Sequence, residues 1–183
     1  MFSDPYAKLC YTSLLASQFD NVIYIDLDTT FTAYFMAELI RTANHLDIYL
    51  PSEGKFTFMI KEVIASIQPG SLVIFDSVNS FYNIFSFQDR KIGNINHLLS
   101  VLLMLLVRRG IDTDVPILVT SMLRYRKNHD WAQSPASRRL LQNKSSAKLS
   151  VGWHGADLAV RIIEHESIPA GTELIYSNCR IIV

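Results

Sequence analysis

Leu72-Val-Ile-Phe-Asp-Ser77 is the stretch of sequence that decides the fold. Its apolar part, Leu72 to Phe75, predicts a short strand buried on both faces, and Asp76 follows it directly. A second stretch repeats the arrangement, because the β-branched run Val22 to Ile25 also leads into acids. Continuous apolar strands of this kind are typical of parallel sheets that helices cover on both faces. The sequence therefore predicts an α/β fold.

Segments with helical spacing alternate with these strands over most of the chain. The predicted helices are Leu9 to Phe19, Tyr34 to Ala43, Phe56 to Ile67 and Ile92 to Arg109, and the predicted strands are Val22 to Ile25, Leu46 to Leu50, Leu72 to Phe75 and Pro116 to Thr120. The alternation favours a mostly parallel central sheet, because parallel neighbours need long crossover connections. From Asp157 the pattern changes to alternating strands, which predict an antiparallel C-terminal extension at Leu158 to Glu164, Glu173 to Ser177 and Arg180 to Val183. The Phe-rich segment Phe81 to Phe87 is expected to pack in the core, with a protein-binding surface as the alternative.

Composition limits the class of protein. The 183 residues are 49% hydrophobic and 19% charged, which predicts one well-buried core and a single domain over residues 1–183. Seventeen basic residues balance seventeen acidic ones, so net charge favours neither a nucleic-acid nor a membrane partner. The longest apolar run, near Val101 to Val107, is too short for a membrane span, and Cys10 and Cys179 suggest no disulfide framework. We expect a cytoplasmic protein, or a nuclear one in a eukaryote.

The acids that follow the buried strands are the first candidate site. Ligands of open α/β sheets bind beyond the carboxyl ends of the strands, where Asp28 and Asp76 would hold a metal or orient a water beside a phosphate. The alternative is structural, since an Asp after a strand often caps the following turn. The histidines and cysteines have no ligand spacing, so no metal site is predicted from them.

The order of these segments resembles the RecA/RadA recombinase core, including its KaiC-like and paralogue relatives, from about Asp4 to Val183. Tyr24 to Phe31 is similar to the family's second strand, and Asp28 stands where an acid activates the attacking water. The resemblance implies a RecA-like three-layer fold.

Two further segments carry the resemblance. Leu72 to Val78 is similar to the magnesium-associated Walker B strand, with Asp76 as its acid. Val115 to Ser121 resembles the strand that senses the γ-phosphate, and the polar stretch after it takes the place of the family's second DNA-binding loop.

The phosphate-binding loop departs from the family's pattern. A Walker A loop has the form G-x-x-x-x-G-K-[ST], whose backbone N–H groups, lysine and hydroxyl bind phosphate and magnesium. The corresponding window, Phe2 to Leu9, is F-S-D-P-Y-A-K-L, with no glycine. Pro5 removes a donor N–H, Asp4 adds a repelling charge and Leu9 replaces the hydroxyl, so only Lys8 remains. Each lost charge-assisted hydrogen bond is worth roughly 1.5 to 3 kcal/mol, so micromolar nucleotide affinity should mostly vanish. Lys8 is either a remnant phosphate contact or a solvated helix lysine.

Two other parts of the ATPase machinery are altered. Few residues precede the window, so the family's first strand is either a stub at Met1 to Ser3 or missing from the sheet. The polar residues expected after the sensor strand become Ser121 and Met122, and methionine cannot relay a hydrogen-bond signal. We therefore expect no catalytic residue, with Asp28 and Asp76 as vestigial acids that cap their turns.

A basic loop over about 121–150 is the candidate nucleic-acid site. Its composition, with few large apolar residues, predicts a long exposed loop inserted before the antiparallel strands. The candidate binding residues are Arg124, Arg126, Lys127, Trp131, Arg138, Arg139, Lys144 and Lys148. Clustered cations beside aromatic side chains are typical of sites for single-stranded nucleic acid. The alternative is a solvated loop or one that contacts an acidic protein.

These observations predict a non-catalytic RecA-like paralogue. It would be a subunit or accessory partner of a recombinase or ATPase assembly in recombination or DNA repair, would bind a RecA-family protein or itself, and would need no cofactor and no membrane. Single-stranded DNA is the candidate ligand of its basic loop. One alternative is a weak ATPase that uses ATP and magnesium through Lys8, Asp28 and Asp76. The other is a protein-interaction module that never meets nucleic acid.

Overall fold

A computed structural model describes residues 1–40, 42, 45–51, 55–86, 92–125, 131–132 and 146–177. Helices and strands follow one another along the chain. The helices are α1 (Pro5–Ala16), α2 (Thr30–Met36), α3 (Phe56–Ser66), α4 (Val78–Ser86) and α5 (Ile92–Thr113), and the strands are β1 (Asn21–Asp26), β2 (His45–Tyr49), β3 (Ser71–Asp76), β4 (Ile117–Val119), β5 (Arg124–Tyr125), β6 (Trp131–Ala132), β7 (Ala147–His154), β8 (Asp157–His165) and β9 (Glu173–Tyr176). Three of the four predicted helices and the first four predicted strands are confirmed, with shifted bounds. The predicted helix Tyr34 to Ala43 was largely wrong, because α2 ends at Met36 and residues 37–40 are not helical.

The central sheet has four parallel strands in the order β2-β1-β3-β4. β1 and β3 are neighbours, and their register pairs Asp26 with Asp76. β3 is buried along its whole length, as a strand between two helical layers must be. The pairing places the acids of both strands at one edge of the sheet, so the predicted α/β architecture is confirmed.

Helices cover both faces of this sheet. On one face, α3, α4 and α5 contribute to the largest core cluster, in which Phe75 packs with Phe81 and Leu99. On the other face, α1 and α2 pack on β1 and β3, and the rings of Tyr24 and Phe31 stack 3.8 Å apart. Helix α4 was not predicted, but the expected core packing of the Phe-rich segment is confirmed at Phe81 and Phe85, while Phe87 lies outside the described residues.

Helix α5 is longer than the sequence pattern predicted. Over Gly93–Thr113 it is apolar enough, by length and composition alone, to cross a membrane. Ser100 and Arg108 flank the uninterrupted apolar run near Val101 to Val107, which by itself is too short for a membrane span. Ile95, Leu99 and Leu106 are buried in the core, which gives the apolar character a structural cause.

The C-terminal part forms a three-stranded antiparallel sheet in the order β7-β8-β9. β8 and β9 match the predicted extension, and Arg180 to Val183 lie outside the described residues. The predicted exposed loop to Ser150 was wrong at both ends, because Ser121 is buried and Ala147 already begins β7. Leu149, Val151 and Trp153 alternate with polar or small residues, which is a strand pattern that the assignment of this stretch to a polar loop overlooked.

Met1 to Ser3 connects the two sheets. The Phe2 amide donates to the carbonyl of Ser121 at 2.9 Å, and the Phe2 carbonyl accepts from Leu123 at 2.7 Å. On its other side, Phe2 forms a parallel bridge with Val151. Of the two sequence-based alternatives, the stub is therefore the one observed.

Candidate functional site

Asp76, at the end of β3, is the centre of a buried polar cluster. Its carboxylate is 1% exposed and accepts hydrogen bonds on both oxygens. Oδ1 accepts from Lys8 Nζ at 2.8 Å and from Thr120 Oγ1 at 2.7 Å. Oδ2 accepts from the Tyr24 hydroxyl at 2.7 Å. The carboxylate is thus surrounded by donors from α1, β1 and the segment after β4, which satisfy a buried charge.

Lys8 links the two candidate acids. Its ammonium lies 3.1 Å from Asp28 Oδ2 in addition to its bond with Asp76, and its side chain is only 4% exposed. The interpretation of Lys8 as a solvated helix lysine was therefore wrong. Burial alone would lower the pKa of Lys8, but the carboxylates of Asp76 and Asp28 outweigh burial and raise it.

Asp28 is the more open of the two acids. Its Oδ1 accepts the backbone N–H of Thr30 at 3.1 Å, which confirms the predicted capping of the turn. Its Oδ2 accepts from Ser80 Oγ at 3.0 Å as well as from Lys8. Burial acts to raise the pKa of Asp28, but the Lys8 ammonium and the Thr30 hydrogen bonds lower it below its ordinary value. For Asp76, the expected capping is replaced by bonds to side chains.

Asp26 is a third acid that the sequence argument passed over. It is fully buried, and Oδ2 accepts both the backbone N–H and the hydroxyl of Thr32 at 2.8 and 2.7 Å. Oδ1 is buried with no hydrogen-bond partner among the described residues. Burial accordingly raises the pKa of Asp26.

The three acids could together hold a cation. One oxygen each of Asp26, Asp28 and Asp76 lie within 4.8 Å of one another, and oxygen ligands of this kind suit magnesium. The ammonium of Lys8 already pairs with two of them. A metal at this position would have to compete with a cation that the chain itself supplies.

The start of α1 lies in the window Phe2 to Leu9. Asp4 is the N-cap residue, and its Oδ1 accepts the backbone N–H groups of Tyr6 at 2.8 Å and Ala7 at 3.0 Å. The indole of Trp153 donates to the same oxygen at 3.1 Å. A carboxylate of this chain thus sits at the positive end of the helix, where an anion is stabilised.

Two residues after β4, Ser121 and Met122, contact Asn79 of α4. Ser121 Oγ lies 3.4 Å from Asn79 Oδ1, and the Met122 N–H donates to it at 2.8 Å. The polar contact to Asp76 comes instead from Thr120, one residue earlier. Thr120, Tyr24 and Ser80 were missed because each lies in an apolar or helical pattern. Their only signal was position at the carboxyl end of the sheet.

Most of the candidate nucleic-acid residues lie outside the part of the chain that the structure describes. Lys148 pairs with Glu164 across β7 and β8. Arg124 and Trp131 lie in the short hairpin of β5 and β6. The other candidates lie outside the described residues, namely Arg126, Lys127, Arg138, Arg139 and Lys144. DNA binding by this loop stays a prediction.

Comparisons with known proteins bear on the fold. No protein-family model and no curated protein matches this sequence. Among solved structures, the chain is similar to one described as the crystal structure of the RadB recombinase. The alignment covers 95% of this chain and 84% of the other, with 18% sequence identity and a TM-score of 0.65. The chain therefore shares the RecA-like fold, with its antiparallel extension.

Proposed function

We propose that this chain is a non-catalytic RecA-like subunit that acts as an accessory partner in a recombinase or ATPase assembly. The likeness in fold to a RadB recombinase supports the class of assembly. The geometry at the start of α1 supports the absence of catalysis.

One observation carries the proposal. Asp4 Oδ1 holds two backbone N–H groups of α1, which are the groups that a helix start offers to a phosphate. A nucleotide phosphate placed there would face this carboxylate at close range, and like charges in a partly buried site repel strongly. Binding would require the Asp4 cap to open and its hydrogen bonds to break.

The cluster around Lys8 supports the same conclusion. A phosphate-binding lysine must offer its charge to the ligand, whereas Lys8 is paired with Asp76 and Asp28. Its ammonium stabilises two carboxylates of the chain instead, and moving it would leave Asp76 as an unpaired buried charge.

Calorimetric titration with ATP and a non-hydrolysable analogue, with and without magnesium, tests whether the chain binds nucleotide. We expect no heat of binding up to millimolar nucleotide. Magnesium-dependent binding in the micromolar range, with ATP hydrolysis abolished by Asp76→Asn, would instead establish the weak ATPase. Asp47→Asn, at an exposed position of β2, is the matched control for loss of one carboxylate.

The partner is tested by chemical crosslinking in the source cell, followed by mass spectrometry of the purified complexes. We expect crosslinks to a RecA-family ATPase or to a second copy of this chain. Crosslinks confined to proteins unrelated to the RecA family would contradict the proposal and favour the alternative of a protein-interaction module.

Single-stranded DNA is tested with labelled oligothymidylate at low salt, followed by a salt titration. Binding through the basic loop should weaken steeply with salt, because each neutralised phosphate releases a counterion. Replacing both Arg138 and Lys144 with Ala should weaken binding. Replacing both Lys55 and Lys61, which are exposed and lie outside the basic loop, with Ala is the matched control for the loss of two cations. No binding at low salt removes DNA from the proposal.

A further inference from the structure

Helix α5 has a second apolar side, which faces away from the core. Its core side includes Leu99 and Leu106, which are buried. The opposite side carries a stripe of residues spaced alternately by four and three, which is the spacing of a helix that packs along another helix. We call this stripe the seam, and it consists of His97, Val101, Met104, Arg108 and Ile111.

The apolar side chains of the seam and its border are open to solvent. Met104 is 51% exposed, Ile111 is 72% exposed and the neighbouring Leu105 is 45% exposed. Only 33% of the most apolar window of α5 is buried, so packing in the core accounts for part of its apolar character. Single exposed apolar residues are ordinary, whereas a contiguous stripe of them marks an interaction surface.

The neighbouring loops of this chain do not suit the seam. Residues 87–91 join α4 to α5, and five residues tied at both ends cannot reach Met104, which lies about 18 Å beyond Ile92 along the helix. The basic loop is rich in arginine and lysine, whereas the middle of the seam already holds a guanidinium, that of Arg108. Like charges would meet there.

The ends of the chain lead elsewhere. Residues 178–183 follow β9, which is separated from α5 by β8, β7 and the groove between β7 and β4. Residues ahead of Met1 would enter that groove, which α5 lines with Leu103 and Val107. Of the seam, only Ile111 also lines it. The rest of the seam is a separate surface.

The charges of the seam favour a protein over a lipid surface. Arg108 lies opposite the buried Leu106 on the helix, at the middle of the exposed side. Its Nε lies 3.1 Å from Asp112 Oδ1, one turn later. A bilayer would receive this charged pair among its acyl chains, where charges are costly. A protein partner meets a pair whose charges already compensate each other.

The apolar centre of the seam matches a second copy of itself. In an antiparallel pair of α5 helices with a two-fold axis between Met104 and Leu105, Met104 of one copy faces Leu105 of the other. Val101 lies three residues before Met104, and Arg108 lies three residues after Leu105. The same axis therefore sets Val101 against the aliphatic stem of Arg108, which covers apolar surface while its charge stays with Asp112.

The outer positions of the seam also match. Leu98 and Ile111 lie six residues from the centre on either side, so the axis sets one apolar side chain against the other. His97 and Asp112 lie seven residues from it, which sets an imidazole donor against a carboxylate. A two-fold axis makes each contact twice, and such an interface requires a surface that complements itself.

We propose that α5 pairs with α5 of a second copy of this chain, antiparallel and about a two-fold axis between Met104 and Leu105. The seam of each copy covers the seam of the other. This dimer adds a surface to the proposed function and does not rest on it, because the oligomeric state is measured with no nucleotide, DNA or RecA-family partner present.

Sedimentation equilibrium of the full chain tests the dimer. We expect twice the mass of one chain at micromolar concentration. Met104→Glu should raise the dissociation constant about tenfold or more, because like charges would face each other beside the axis. Met36→Glu is the matched control, since Met36 is 75% exposed at the end of α2, outside the seam, and its loss should leave the mass unchanged. Circular dichroism verifies that both variants are folded.

Disulfide formation tests the direction of the two helices. In a Cys179→Ser background, a mixture of His97→Cys and Asp112→Cys should give a crosslinked dimer under mild oxidation, and each variant alone should give little. Cys10 is buried and stays in place. A parallel pair would instead crosslink each variant with itself, which would overturn the antiparallel arrangement.

Other outcomes would also overturn the proposal. A chain that stays monomeric at about 100 μM has no such interface. A dimer that survives Met104→Glu, or one that Met36→Glu weakens equally, does not form through the seam. A monomer that sediments with phosphatidylglycerol vesicles, and loses this binding in Met104→Glu, uses the seam for lipid. None of these results bears on the nucleotide titration, so the proposed function is tested separately.

Discussion

The cluster around Asp76 and the groove between β4 and β7 are neighbouring regions of the sheet. They differ in how their polar groups are satisfied. In the cluster, side chains of the chain itself supply the cation and the donors. In the groove, which has a volume of about 550 Å³, two backbone edges face each other, and of the described residues Met1 to Ser3 lie between their ends. Side chains satisfy the buried carboxylate, whereas the backbone groups of a sheet edge are satisfied by water or by another strand. Substitutions in the two regions should therefore have very different costs.

Lys8→Met should produce the largest effect. It removes the ammonium and leaves the buried Asp76 carboxylate unpaired, which should lower the free energy of unfolding by about 3–5 kcal/mol. Urea unfolding followed by circular dichroism measures the loss. The double variant Lys8→Met/Asp76→Asn should recover a large part of it, because the uncompensated charge is gone. A double variant as unstable as the sum of the single variants would contradict a coupled buried pair.

Thr120→Val should have the next largest effect. The substitution keeps the shape of the side chain but removes a donor to Asp76 Oδ1, and hydrogen bonds to charged groups contribute about 1.5–3 kcal/mol. Tyr24→Phe should cost a similar amount through Oδ2. Tyr49→Phe is the matched control, since its hydroxyl meets the half-exposed Ser66 and should lose less. Equal losses in all three variants would show that the cluster has no special energetic role.

Asp4→Ala tests the contribution of the Asp4 carboxylate, which caps the start of α1. Loss of an N-cap should cost about 1 kcal/mol of stability, measured by thermal unfolding. The indole of Trp153 loses its acceptor at the same time, so tryptophan fluorescence should shift. Asp47→Ala, at an exposed strand position, should change stability by less than about 0.5 kcal/mol. An unchanged fluorescence spectrum would argue against the Trp153 contact.

Asp26→Asn should stabilise the protein by about 1 kcal/mol at pH 7, since it removes a buried charge with an unpartnered oxygen. The raised pKa of Asp26 means that the folded chain holds this proton more tightly than the unfolded chain. Ionised Asp26 therefore costs stability above its folded pKa, and the cost disappears as the pH falls below the ordinary value of 3.8. The gain in unfolding free energy from Asp26→Asn should therefore shrink as the pH is lowered from 7 to 3, measured by urea unfolding at each pH. A gain independent of pH would show that charge is not its cause.

Lys148→Ala should have the smallest effect. Like Lys8, this lysine pairs with a carboxylate, but Glu164 has a largely exposed side chain. Exposed ion pairs contribute about 0–1 kcal/mol, so urea unfolding should detect little change. A loss of stability as large as that of Lys8→Met would contradict the expectation that the exposed Lys148–Glu164 pair contributes less than the buried pairs of Lys8.

The parallel sheet was predictable because β1 and β3 carry uninterrupted apolar runs, a signal that few other structures produce. The start of β7 was assigned to the loop because of the polar residues before it, although Leu149, Val151 and Trp153 alternate as in a strand. Helix α4 was hidden by its aromatic residues Phe81, Tyr82 and Phe85, which indicate burial without indicating whether the backbone is helical or extended.

The sequence predicted where the site lies but not the contacts within it. Sequence order placed Asp28 and Asp76 at one edge of the sheet, and the resemblance placed Lys8 near them. Whether Lys8 faces solvent or Asp76 depends on how α1 packs against β1 and β3, which no local pattern encodes. The contacts of Tyr24 and Thr120 likewise depend on strand register, set by pairing across many intervening residues.

The position of the Met1 amino nitrogen has a practical consequence for producing the protein. This nitrogen points at the Leu149 carbonyl in the line of the groove, so an affinity tag or fusion protein attached ahead of Met1 would thread between β4 and β7. The backbone of such a linker would continue the ladder in which Phe2 bridges Met122 and Val151. A linker of apolar residues attached ahead of Met1 would therefore fill the groove.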